Sequence, residues 1–66
     1  MYSLIVICYL DDGSKITHTY QSDYIEKCYD RVFDISKEFR SVRYEVYKLN
    51  GYKYELHEKG EFNERS

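Results

Sequence analysis

Hydrophobic and polar positions divide the chain into five segments. Tyr2–Leu10, YSLIVICYL, is apolar almost throughout, the pattern of a strand covered on both faces. Asp11-Asp12-Gly13-Ser14 interrupts it, with Gly13 able to supply the positive φ of a hairpin turn. Lys15–Tyr20, KITHTY, then alternates, Ile16, His18 and Tyr20 against Lys15, Thr17 and Thr19, as a half-exposed second strand does. Two registers fit this hairpin. A two-residue Asp12-Gly13 turn pairs Tyr9 with Ile16, and a three-residue Asp11-Asp12-Gly13 loop pairs Cys8 with Ile16. A first strand that is apolar on both faces does not choose between them.

The period changes after Tyr20. Ile25, Cys28, Tyr29, Val32, Ile35 and Phe39 recur at helical spacing, with Tyr24 and Phe33 widening the stripe. Ser22 or Asp23 is the expected cap, and Asp23 with Glu26 has capping-box spacing. Val42–Leu49 and Tyr52–Glu58 form a second hairpin around Asn50-Gly51. A three-residue Leu49-Asn50-Gly51 loop is favoured, because it puts Val42, Tyr44, Val46, Tyr52, Tyr54 and Leu56 on one face. Lys59–Ser66 has no periodicity and is expected to be a polar, frayed tail. Residues 1–58 then form one ββαββ domain.

A helix between two hairpins predicts an α+β fold. Placing the apolar first strand centrally gives a four-stranded antiparallel sheet of order 2-1-3-4, with the helix on one face. The other face is then uncovered, although the first strand is apolar both ways: Leu4, Val6, Cys8 and Leu10 against Ile5, Ile7 and Tyr9. Which set the helix covers is open at this level. An exposed apolar patch usually marks an interaction site, and a two-fold homodimer is the commonest closed assembly. The expected partner or dimer surface comprises Ile5, Ile7, Tyr9, Tyr20, Tyr47, Tyr52 and Tyr54.

Composition narrows the reading. With 66 residues there is one small domain and a modest core. A content of 42% hydrophobic and 18% aromatic residues argues for a folded chain. Tyr occurs nine times, while Ala, Pro and Trp are absent, and residues with A/T-rich codons far outnumber those with G/C-rich ones. A net charge of −2 speaks against a general nucleic-acid binder, which carries a basic surplus. Leu4–Leu10 is too short to span a bilayer and has neither the basic flank nor the cleavage site of a signal peptide. A cytoplasmic protein with reduced thiols is therefore expected.

No catalytic or cofactor motif emerges. Cys8, His18, Cys28 and His57 are spaced far too widely for a zinc site, and core packing accounts for both cysteines. Neither metal, cofactor nor enzymatic activity is expected. Glu26, Asp30, Asp34 and Glu38 follow one another at four-residue spacing. Such a row imitates phosphates if left bare. Pairing of Lys27 with Asp23 and Asp30, and of Arg31 with Asp34, makes it an ordinary solvated face.

The leading expectation is a non-catalytic protein-binding module, dimeric and with a protein partner. In size and codon bias it looks like the small accessory proteins of phages and mobile elements in low-G/C bacteria. Many of those are stoichiometric inhibitors of host or defence machinery, anti-CRISPR proteins among them. The alternative is a nucleic-acid binder using tyrosines of a sheet face with Arg40, Arg43, Lys48 and Lys53. DNA mimicry by the helix acids is a third reading.

Overall fold

The computed structural model describes residues 1–63. Its elements are β1 (Tyr2–Tyr9), β2 (Lys15–Ser22), α1 (Ile25–Ser36), β3 (Ser41–Asn50) and β4 (Lys53–Asn63). The strands form one antiparallel sheet of order β2-β1-β3-β4, and α1 packs over β1, β2 and β3. This is the ββαββ architecture expected from the hydrophobic pattern. Among the described residues, no helix is long and apolar enough to cross a membrane.

The core lies between α1 and one face of the sheet. Leu4, Val6 and Cys8 of β1, Val42 and Val46 of β3, and Cys28 and Val32 of α1 are buried. Tyr2, Tyr20, Ile25, Tyr29, Ile35, Phe39 and Tyr44 close around them. The helix therefore covers the Leu4–Val6–Cys8 side of β1 and leaves Ile5, Ile7 and Tyr9 on the open side, where each is partly exposed. Tyr24 and Phe33 do not widen the buried stripe. They are 64% and 55% exposed, and Phe33 lies beneath the Lys37 ammonium instead.

The helix begins later than its capping residues suggest. Tyr24 occupies the N-cap position without a side-chain bond. Ser22 ends β2 and accepts from the Tyr24 N–H at 3.1 Å, while Asp23 pairs with the terminal amine of Met1 at 4.0 Å.

The first hairpin takes the three-residue loop. Cys8 pairs with Ile16, the Leu10 carbonyl accepts from Gly13 N–H, and Gly13 has φ +91°. Asp12 accepts from the backbone N–H and hydroxyl of Ser14 at 2.9 and 2.6 Å. Those bonds hold its carboxyl below the usual range.

The second hairpin departs from the expected register. Asn50 pairs with Lys53, leaving Gly51-Tyr52 as a two-residue turn. Gly51 has φ +70° and Tyr52 has a negative φ, the requirement of a type II′ turn with glycine first. A bulge follows: Tyr47 pairs with Leu56 and Val46 with Glu58, so His57 is the extra residue. Tyr54 and Leu56 consequently point to the open face, opposite to Val42, Tyr44 and Val46. Beyond the bulge, Glu58, Gly60 and Phe62 face the helix. The segment Lys59–Asn63, expected to be frayed, is paired strand that finishes the β3 ladder. The remainder of that tail, Glu64–Ser66, lies outside the described residues.

Candidate functional site

The two edges of the sheet differ chemically. β4 carries Lys53, Glu55, Glu58, Lys59 and Glu61 as well as a bulge, devices that blunt an edge against pairing with another chain. β2, KITHTYQS, has one formal charge, at Lys15, and no bulge. Its backbone has β1 on one side alone.

The direction of the free groups on β2 follows from the ladder. Leu10 N–H bonds the Ser14 carbonyl, making that pair hydrogen-bonded, and antiparallel pairs alternate from there. Tyr9–Lys15, Ile7–Thr17, Ile5–Thr19 and Ser3–Gln21 are then the non-bonded pairs. The backbone N–H and C=O groups of Lys15, Thr17, Thr19 and Gln21 therefore point outward from the sheet.

Beside this edge, on the helix side, runs a cleft of about 440 Å³. Leu4 and Val6 form its floor, Ile16, His18 and Tyr20 of β2 one wall, and Arg31, Ile35, Glu38 and Phe39 the other. Ile16 is 41% exposed at the rim. The Arg31 guanidinium sits 4.5 Å from the centre of the Tyr20 ring, which holds a cation at one end of the cleft. Glu38, just beyond α1, places an anion at the other. Volumes of this order accommodate one or two large side chains or a small ligand.

The expected interface residues separate into three groups. Ile5, Ile7, Tyr9, Tyr47 and Tyr54 share the open face of the sheet. Tyr20 is on the helix face, beneath Arg31, and Tyr52 projects from the hairpin tip with 93% exposure. The Gln21 amide and the Tyr54 hydroxyl approach to 3.5 Å across the open face. On the same face Tyr47 donates to Glu45 at 2.7 Å, and Arg43 donates to the Tyr9 phenol oxygen.

The basic residues of the nucleic-acid reading do not converge. Arg43 is on the open face between Glu45 and Glu61, and Lys48 is on the opposite face with Glu55 across the ladder. Lys53 lies at the hairpin end, and Arg40 pairs with Asp11 at 3.5 Å. The acidic row is also broken. Glu26, Asp30 and Asp34 lie along exposed α1, whereas Glu38 falls past its end and lines the cleft. Lys37 is the partner of Asp34, at 3.9 Å, because Tyr20 draws Arg31 away.

Cys8 and Cys28 are free, buried thiols. Burial raises the pKa of each, and the Glu38 carboxylate adds to the effect at Cys8, the reverse of what a nucleophile needs. His57 meets the Tyr2 ring edge-on, centroids 5.8 Å apart. Among the described residues no group of three or more His, Cys, Asp or Glu is placed to hold a metal ion.

The chain matches no protein-family model, no curated protein and no solved structure. The edge position of β2 follows from the expected strand order 2-1-3-4, but its cleft had no signal of its own in the sequence. Ile16, His18 and Tyr20 read there as ordinary alternation, and only sheet order makes their strand an edge.

Proposed function

We propose that this chain is a non-catalytic protein-binding module that captures an extended segment of its partner along β2. One observation carries the reading: an undefended edge strand lies directly beside a cleft with an apolar floor and a charge at each end. In strand addition the backbone supplies affinity, and pockets for alternate side chains supply specificity. Here Lys15, Thr17, Thr19 and Gln21 offer the backbone groups. Every second side chain of the incoming strand falls toward Ile16 and Phe39, between Arg31 and Glu38. A segment that alternates large apolar residues with a charged or polar one fits this lining. The wider reading, a small phage or mobile-element protein acting in a bacterial host's cytoplasm as a stoichiometric inhibitor, is supported by size and codon bias.

The test is selection from a displayed library of random linear peptides, followed by amide NMR of the full chain with the selected sequences. Binding is expected to perturb Lys15–Gln21 and the cleft wall of α1, and to slow amide exchange at Thr17 and Thr19. Thr19→Pro removes an outward N–H and no bond to β1, an arrangement edge strands tolerate. It is expected to abolish binding while the chain stays folded. Selected peptides that bind Thr19→Pro undiminished, or that perturb other surfaces only, would disprove the reading.

A further inference from the structure

We propose that the open face of the sheet is a self-complementary dimer surface, with a two-fold axis crossing the strands between the Ile5 and Ile7 rows. The strand registers define these rows across the sheet. One reads Thr19, Ile5, Glu45, Lys59, and the next reads Thr17, Ile7, Arg43, Glu61. β3 and β4 thus carry a checkerboard of two carboxylates and two cations, beside a pair of isoleucines and a pair of threonines.

A two-fold axis in the plane of this face, perpendicular to the strands and midway between the rows, exchanges one row for the other. Ile5 then meets Ile7 of its partner, and Thr19 meets Thr17. Glu45 meets Arg43 and Lys59 meets Glu61, so each charge lies over its opposite. An axis parallel to the strands fails. Between β1 and β3 it sets Ile5 against Glu45 and Ile7 against Arg43. Between β3 and β4 it matches the charges but leaves both isoleucines beyond the partner's edge. Only the crossing axis satisfies the apolar and charged positions together.

The surroundings agree with this placement. Tyr9 and Tyr47 bond Arg43 and Glu45 and so hold the two central charges of β3 in position on the open face. Sheets pack face to face about 10 Å apart with their strands nearly aligned, which this axis permits. Four strands and the rows from Ser3 to Tyr9 give a face roughly 19 Å by 20 Å. Over two copies that is a flat footprint of roughly 760 Å², below the about 1,000 Å² of a stable specific interface, so a weak, transient dimer is expected. The outward backbone groups of β2 and both clefts stay outside the contact, so the proposal stands independently of peptide capture.

Sedimentation equilibrium of the full chain between micromolar and millimolar concentration tests it. Wild type is expected to show a monomer–dimer equilibrium that weakens with added salt. Arg43→Glu leaves two carboxylates at positions 43 and 45, and Glu45→Arg leaves two cations. Each variant alone is expected to dimerise at least tenfold more weakly. An equimolar mixture is expected to recover the dimer as a heterodimer, since position 43 of one chain faces position 45 of the other. Lys59→Glu mixed with Glu61→Lys repeats the test on β4 should either β3 variant misfold. A wild type monomeric throughout, or a mixture no tighter than its components, overturns the proposal. So does undiminished dimerisation of Arg43→Glu, the result expected if copies pair through their β2 edges.

Discussion

Tyr29 on α1 donates its phenolic hydrogen to the carboxylate of Glu58 on β4, tying the helix to a strand it otherwise scarcely touches. The bulge at His57 makes this bond possible. In the register next to the turn, Lys48 with Glu55 and Tyr47 with Leu56, Glu58 would face Glu45 on the open side. One extra residue on β4 turns it toward the helix. The phenol of Tyr29 is pushed up to about 12, first by this hydrogen bond and then by burial.

Removing the bond is expected to cost about 1 kcal/mol, the usual net value for a partly exposed hydrogen bond. Tyr29→Phe and Glu58→Ala should each lower Tm by several degrees in a domain of this size. A raised folded-state pKa stabilises below the unfolded value and ceases to do so above the folded one. The advantage of wild type over Tyr29→Phe should therefore be present from neutral pH up to about 10. It should disappear as pH rises toward about 12. Thermal melts of both proteins across this range measure it, and a difference that persists above pH 12 contradicts the assignment.

Gly60 sits beneath the ring of Tyr44. A Cβ at this position would lie 2.6 Å from the Tyr44 hydroxyl oxygen and 2.8 Å from Cζ. The ring also stacks on Phe62, centroids 5.8 Å apart, so it has little freedom to move. Gly60→Ala is expected to destabilise by about 1–3 kcal/mol, as overpacking does. In a Tyr44→Val background the same substitution should cost far less. Urea unfolding of the two single variants and the double variant gives the coupling energy. Additive effects would show that Tyr44 is not the obstacle.

The two thiols report on the core. Cys8 lies on the covered face of β1 and Cys28 on the inner face of α1, both inaccessible to solvent. With their pKa values raised by burial, little thiolate is present at pH 8. Modification by a disulfide reagent is expected to be roughly 10²–10³-fold slower than for a free thiol, because it requires opening of a small domain. The rate should rise with urea in step with the unfolding transition. Rapid labelling of either cysteine in the native state would mean that the helix does not stay closed over the sheet.

The local pattern determined a good part of this protein. Helical spacing from Ile25 to Ile35 identified the face of α1 that is buried, because a 3.6-residue period admits one burial direction. The apolar run of Tyr2–Tyr9 placed β1 at the centre of the sheet, and with it the order 2-1-3-4. Of the open-face residues, Ile5, Ile7 and Tyr9 were visible as a second apolar set needing cover. The cleft was not, since its walls are remote in sequence and meet only when α1 lies over β2.

The course of β4 was decided by tertiary structure. Its residues YKYELHEKGEFN mix aromatic and charged positions on both faces, so several registers are similar in local energy. Asn50-Gly51 pointed to a turn one residue earlier than the one formed. What selects among them lies far from the turn: Tyr29 of α1 reaching Glu58, and within the hairpin Phe62 stacking on Tyr44 and Gly60 leaving room for that ring. Those contacts extend the strand to Asn63 and insert the bulge at His57. The Gly51-Tyr52 turn sends Tyr54 and Leu56 to the open face, and the bulge beyond them brings the charges of Lys59 and Glu61 to that same face, beside those of Glu45 and Arg43. A period-two pattern fixes which residues share a face only where nothing is inserted, and a single extra residue reverses every position beyond it.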